Sequence, residues 1–130
     1  MLRSSRARRA VSALSLLAVL LLVVACGPPP APPDMHAHPF LVCTRAHESD
    51  TSDANGNGLH DAGYGQVSPD GKYHGAYQFL QSTWDSWAGS MGWDSLIGMP
   101  PEQASVNDQD QMAMSLYESA GSGPWGGRCG

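Results

Sequence analysis

The stretches Cys43-Thr-Arg-Ala-His-Glu48-Ser-Asp50 and Tyr73-His-Gly75-Ala-Tyr77-Gln78-Phe-Leu-Gln-Ser-Thr83-Trp84 decide the reading of this chain. One acid stands ahead of a turn rich in Gly and aromatics, and a polar-aromatic helix follows. That order describes a sugar-binding cleft better than a generic core. Pro39 suits the first turn of a helix, so a first helix is expected from Pro39 to about Glu48. The run Ser49-Asp50-Thr-Ser-Asp53-Ala-Asn55-Gly-Asn57-Gly58 must be loop. Gly63 to Gly75 reads as turns, with a short hairpin at Ser68-Pro-Asp-Gly71. A second helix is expected over Gln78–Trp87 and a third over Asp108–Ala120. In the third, Ala113, Leu116, Tyr117 and Ala120 repeat at the spacing of a buried face. The expected class is α+β, mostly α-helical, in one small domain over residues 39–130.

Ahead of the domain lies an address. Arg3, Arg6, Arg8 and Arg9 precede an almost unbroken apolar run from Ala10 to Ala25, too short for a comfortable membrane span and laid out as a secretory signal. The run ends Val23-Val24-Ala25-Cys26, which resembles the lipobox of bacterial lipoproteins. Residues 1–25 are then a signal peptide and Cys26 a lipidated N-terminus; a plain secretory signal is the alternative. Arg8-Arg9 leaves twin-arginine export open. Three cysteines are an awkward number for a secreted protein. With Cys26 carrying lipid, Cys43 and Cys129 remain to pair in an oxidising compartment. Residues 26–38, which include Gly27-Pro-Pro-Pro-Ala-Pro-Pro33, read as a semi-rigid spacer of roughly 20 Å in polyproline II.

The full chain has seven basic and twelve acidic residues. Without the first 25 residues the bases are Arg45, Lys72 and Arg128 against all twelve acids, a net charge of −9. Nucleic acid and anionic lipid headgroups both call for basic patches and are excluded as electrostatic partners. The membrane is then met only through the lipid.

From Phe40 to Cys129 the chain resembles the resuscitation-promoting factors and their actinobacterial transglycosylase-like relatives in the lysozyme superfamily. The specific part is Gly75-Ala-Tyr-Gln78-Phe-Leu-Gln81-Ser-Thr83-Trp84 downstream of a Glu. The resemblance implies a lysozyme-like architecture and cleavage of β-1,4 bonds in peptidoglycan glycan strands, without a cofactor; the need for a partner wall hydrolase is left open by the sequence. It implies that Glu48 is the catalytic acid and base. Tyr73, Gln78 and Thr83 match positions that line the glycan groove.

Glycosidic cleavage needs a carboxylic acid that stays protonated near neutral pH to protonate the leaving oxygen. A Glu at a helix C-terminus facing aromatics meets that need, because burial and the helix dipole both disfavour its charged form. Tyr73, Tyr77, Trp84 and Trp125 are candidates for the apolar wall. For Trp84 a place on the groove and a place in the core weigh equally; Trp125 beside Cys129 reads as packing. Asp50 and Asp70 are the nearest candidates for a second carboxylate, and neither is placed convincingly. The relatives manage with one Glu, which acts as acid and then as base on the substrate's 6-hydroxyl.

Asp53-Ala-Asn55-Gly-Asn57-Gly58-Leu59-His60-Asp61 looks inserted, and its spacing resembles an EF-hand calcium loop. Tyr64 stands where the bidentate carboxylate belongs, so a flexible Asn/Gly loop is the favoured reading and no metal site is assigned. His36-Ala37-His38 offers two ligands for a transition metal, on a linker. His47 should point about 100° away from Glu48 around the helix. The competing functions are a non-catalytic wall-binding lipoprotein, its cleft blocked by the insertion, and a metal-binding or inhibitor lipoprotein.

Overall fold

The computed structural model describes residues 26–49, 53 and 56–130. The signal-peptide segment, Asp50 and Asn55 lie outside them. Three helices carry the fold: α1 (Pro39–Glu48), α2 (Gln81–Met91) and α3 (Val106–Ala120). Two short antiparallel strands, β1 (Tyr73–His74) and β2 (Phe79–Leu80), pair Tyr73 with Leu80 and His74 with Phe79. Single 3₁₀ turns fill the connections at Met35–Ala37, Asp94–Leu96, Pro101–Gln103 and Gly123–Trp125. The class is α+β and mostly helical, as expected, with the Cys43–Cys129 disulfide formed.

Each helix has a local cause. α1 starts at Pro39, and the His38 ring caps it by accepting from the Phe40 amide at 3.3 Å. It stops where the amide and hydroxyl of Ser49 both donate to the Arg45 carbonyl. α2 begins at Gln81, three residues later than expected, because Gln78 closes a turn and Phe79–Leu80 are used as strand. It runs four residues further than expected, to Met91, and Gly92 with its left-handed φ of 72° ends it. α3 starts at Val106 because the Ser105 hydroxyl accepts from the Asp108 amide at 3.0 Å.

Phe40 and Leu41 of α1, Trp84 and Ala88 of α2, and Met112, Ala113 and Leu116 of α3 meet in one core with Tyr77, Phe79 and Leu96. Ala120, expected on the buried face, is exposed because α3 outruns the body there. The Ser68–Gly71 turn forms as read, with the Gly71 amide donating to the Ser68 carbonyl at 2.8 Å.

Beneath this apolar core lies a polar one. Arg45 is 0 % exposed and Asp110 2 %. Tyr64 and Tyr77 each donate a hydroxyl to Asp110 Oδ1 at 2.5 Å, and Arg45 Nη1 donates to Tyr77 Oη at 2.8 Å. Arg45 Nη1 stands 3.6 Å from Asp110 Oδ1, so the buried charges are paired. Burial pushes both tyrosine hydroxyls well above their usual range, and the Asp110 charge adds to it. Both remain donors.

The segment 26–38 departs from the spacer reading. The Pro29 carbonyl accepts from Gln111 Nε2 at 2.8 Å and Asn107 Nδ2 at 3.4 Å, and the Ala31 amide donates to Asn107 Oδ1 at 2.6 Å. The Cys26 carbonyl accepts from the amide and the hydroxyl of Ser95, each at 3.0 Å. Proline-rich backbone offers carbonyls without matching amides, and side chains on one face of α3 satisfy them. The His36 carbonyl accepts from Arg45 Nη2 at 2.8 Å, and His36 Nδ1 lies 2.8 Å from Asp110 Oδ2. The folded body therefore includes this strap. His36 faces the buried Asp110 and His38 caps α1, so the two do not form a chelating pair.

Candidate functional site

Glu48, the last residue of α1, opens into a cleft of about 270 Å³ lined by Tyr73, Gln78, Thr83, Leu116 and Trp125, with Phe79, Leu80 and Pro124. Five of the residues singled out in the sequence thus converge: Glu48, Tyr73, Gln78, Thr83 and Trp125. Glu48 comes from α1, Tyr73 from β1, Gln78 from the turn between the strands, and Thr83 from the first turn of α2. Among the described residues lining this cleft, Glu48 is the one carboxylate. Asp70 is fully solvated in its turn, held by Ser68 and Lys72 and shifted down by them.

Glu48 is half-buried, and burial pushes its carboxyl above the usual range. Arg128 and, more weakly, His47 pull the other way. The C-terminal end of α1 adds a further disfavour to negative charge. The apolar flank comes from Phe79, Leu116 and Trp125; Trp125 is 9 % exposed and donates Nε1–H to the Tyr77 carbonyl at 3.0 Å. It both packs and lines the cleft. Tyr73 lines the cleft and is 42 % exposed.

Trp84 corrects the sequence reading. It is 0 % exposed, stacks edge-on to Phe79 at 5.5 Å and donates Nε1–H to the Leu96 carbonyl at 2.9 Å. Thr83 and Trp84 are neighbours one helical step apart, about 100° around the axis. When Thr83 faces the cleft, Trp84 must face the core. Tyr77, read as possible wall, is likewise 0 % exposed.

The turn that holds Gln78 is built tightly. Gly75 has φ 76°, and a Cβ there would stand 2.4 Å from Gln109 Oε1. Gln109, buried in α3, accepts from the Ala76 amide at 3.0 Å and donates to the Tyr64 and Ala104 carbonyls. Only glycine permits both the φ and this approach. Gln78 itself is left-handed, at φ 51°, with its Nε2 donating to the Gly75 carbonyl at 2.9 Å. A non-glycine residue held there costs on the order of 1 kcal/mol, and such residues gather at functional sites.

The described part of the inserted loop stays off the cleft. Arg45 holds the Leu59 carbonyl through Nε at 3.0 Å and Nη2 at 2.6 Å, on the polar-core side of α1. Asp53 accepts from the amides of Asn57 and Gly58, and Asn57 Nδ2 donates to Asp61 Oδ2 at 3.1 Å. Those oxygens close the loop on itself. Phe79, Leu80 and Pro124 of the cleft were not singled out in the sequence, and Leu116 was read only as part of the buried face of the third helix. The strand pairing that puts Phe79 and Leu80 there is too short to leave a periodic signal.

A family model described as the Transglycosylase-like domain matches residues 61–129, which contain Tyr73, Gln78 and Thr83; Glu48 lies ahead of the matched span. The chain is similar to the probable transglycosylase SceD of Staphylococcus haemolyticus, 44 % identical over 59 residues, covering 45 % of this chain and 23 % of that protein. It is similar also to the probable transglycosylase SceD of Staphylococcus epidermidis, 42 % identical over 59 residues, covering 45 % of this chain and 25 % of that protein. The chain thus spans about a quarter of the length of these curated relatives. No solved structure matches the chain significantly. With more than half of its 130 residues matched, the chain belongs to the Transglycosylase-like domain family.

Proposed function

We propose that the protein cleaves the β-1,4 bonds of peptidoglycan glycan strands as a lytic transglycosylase, with Glu48 as its single acid and base. The observation that carries this reading is a half-buried Glu48, its carboxyl raised by burial, in a cleft with Tyr73, Gln78 and Thr83 and no second carboxylate among the described lining. Family membership and the name of the SceD relatives support the reaction class.

Protonated Glu48 gives its proton to the glycosidic oxygen as the C1–O4 bond breaks. The carboxylate left behind takes the proton of the sugar's own 6-hydroxyl as O6 closes on C1. Glu48 ends protonated, the product end is a 1,6-anhydro ring, and no water is consumed. Tyr73 offers a ring face to the sugar, and Gln78 and Thr83 offer hydrogen bonds to its hydroxyls. A cleft wall of Phe79, Leu116 and Trp125 keeps the acid poorly solvated, which is what makes it a donor near neutral pH.

Residues 1–25 act as a lipoprotein signal in this reading, and Cys26 is acylated. The protein then works on the outer face of the cell membrane, in the wall zone, on glycan strands, alone or beside a partner hydrolase. A role in wall remodelling or regrowth from dormancy follows from the likeness to resuscitation-promoting factors.

Mass spectrometry of fragments released from purified peptidoglycan tests the reaction. Anhydro-muropeptides from the wild type, absent with Glu48→Gln, are expected. Reducing ends would replace the single-Glu mechanism with hydrolysis and make Asp50 the next residue to substitute. Wall binding with no release from either protein would leave a non-catalytic binding lipoprotein.

A further inference from the structure

The face of α1 that carries Cys43 gathers a second set of reactive side chains. Cys43 and His47 stand four residues apart on α1, one helical turn, and so project on the same side of it. Cys129 meets them there from the far end of the chain. Among the described residues, the two Sγ atoms and a ring nitrogen of His47 all lie within 4.8 Å of one another. Cys129 is buried, Cys43 half-buried and His47 exposed, so the group opens to solvent on its imidazole side. The cysteines also border a recess of about 320 Å³, lined in addition by His38 and Arg128.

Every molecule of this chain begins as the dithiol, and the bridge forms only when a disulfide oxidant removes two electrons and two protons. In the dithiol state the same three groups suit a zinc ion: two thiolates and an imidazole, with a fourth position open to water. With Zn–S bonds of about 2.3 Å, two sulfurs on a tetrahedral ion stand about 3.8 Å apart. The Cα atoms of Cys43 and Cys129 are 5.8 Å apart, so rotation about the Cα–Cβ bonds supplies that separation while the backbone stays in place. The recess gives the sulfurs room to part and water a way in. Arg128, next to Cys129, favours thiolate over thiol. Two thiolates cancel the charge of the ion, so neither Arg128 nor the burial of Cys129 opposes the loaded site.

We propose that Cys43, His47 and Cys129 form a zinc site in the dithiol protein, and that metal and disulfide are alternative clasps on the same two chain segments. Binding releases the two thiol protons to solvent, the imidazole binds in its neutral form, and no electron moves. Oxidation of the loaded site expels the ion as the bridge closes. The zinc form ties α1 to the end of the chain at the stage when so small a domain still lacks its covalent staple. The inference stands on side-chain placement and does not depend on the glycan-cleaving reading of Glu48.

The test is titration calorimetry of zinc into the full chain in detergent, reduced with a thiol-free phosphine, with the thermal midpoint followed in parallel. One ion should bind per dithiol chain and raise the midpoint. Cobalt in place of zinc should give the visible bands of tetrahedral thiolate coordination. The oxidised protein should bind about a hundredfold more weakly and lack those bands. His47→Ala, a change at an exposed residue, should weaken binding to the dithiol by about tenfold or more, and His47→Cys should restore it. Cys26→Ser should bind as the wild type does.

Equal affinity in His47→Ala and the wild type overturns the proposal, as does equal binding before and after oxidation. Lost binding in Cys26→Ser overturns the ligand set, because it puts the third sulfur in the site. A dithiol that stays helical and takes up no zinc is a plain negative. Where the metal-free dithiol loses its helicity, zinc should restore it, and failure to do so counts equally against the site.

Discussion

At the scale of single residues, the opposed influences on Glu48 set a pH dependence. Burial raises its carboxyl and Arg128 restrains that rise. Activity that needs protonated Glu48 should fall as pH climbs through the raised value. Removing the cation in Arg128→Met lifts that value further, so the alkaline limb of the pH–rate profile should move up, a shift read directly from initial rates. The sign for stability follows from the same group. A carboxyl that holds its proton more tightly folded than unfolded favours the fold below its unfolded pKa, and that contribution is lost as pH rises through the folded value. Glu48→Gln should therefore leave the thermal midpoint at pH 7 unchanged or slightly higher, while activity drops by about 10²–10⁴-fold as expected for a lost general acid. Gln78 offers a second separation of the two properties. Gln78→Gly accommodates φ 51° without strain and should hold the midpoint, yet weaken glycan binding measured by pelleting on insoluble wall.

Among the elements, the contact between α1 and α3 carries the largest stake. Asp110→Ala would strand Arg45, at 0 % exposure, without its counter-charge and take the acceptor from two tyrosine hydroxyls. A cost of about 3–5 kcal/mol is expected from denaturant titration, enough to unfold much of so small a domain. Much of this level was legible beforehand. α1 was bounded correctly because Pro39 and the Ser49–Asp50 turn formers mark both of its ends in the sequence. α2 was displaced because Gln78–Leu80 carry no mark that distinguishes a two-residue strand from a first helical turn. Trp84 was undecided for a related reason: its face depends on where α2 begins, and the use of Phe79–Leu80 as strand fixes that. Arg45 and Asp110 gave no hint of burial, since charged residues are read as surface unless their partner is known. The convergence of Glu48, Tyr73, Gln78 and Thr83 was legible through the family motif rather than through periodicity. The strap along α3 was not, because proline-rich composition describes stiffness and says nothing of the side-chain amides waiting for its carbonyls. Gln111→Ala removes one of them, and faster amide hydrogen exchange at Ala31 with an unchanged rate in the core is expected.

Across the whole molecule, the bridge between Cys43 and Cys129 encloses nearly all of the domain, its ends 86 positions apart. Reduction, or Cys129→Ser, should lower stability by about 4–5 kcal/mol in the chain-entropy treatment, read as a drop in the denaturant midpoint. Because the bridge holds the segment carrying Trp125 and Arg128 against α1, activity should be lost at lower denaturant than helicity. The same closed ring governs how the protein responds to proteolysis. A protease cutting once anywhere between residues 43 and 129, in the inserted loop or the exposed Gly92–Gly98 turns, opens a ring rather than severing a chain. Both pieces stay covalently joined, and a cut in the inserted loop leaves Glu48 on one piece and Tyr73, Gln78 and Thr83 on the other. Nicked molecules would migrate whole until reduced and keep their cleft assembled, so damage that would destroy an unbridged domain of this size is here survivable.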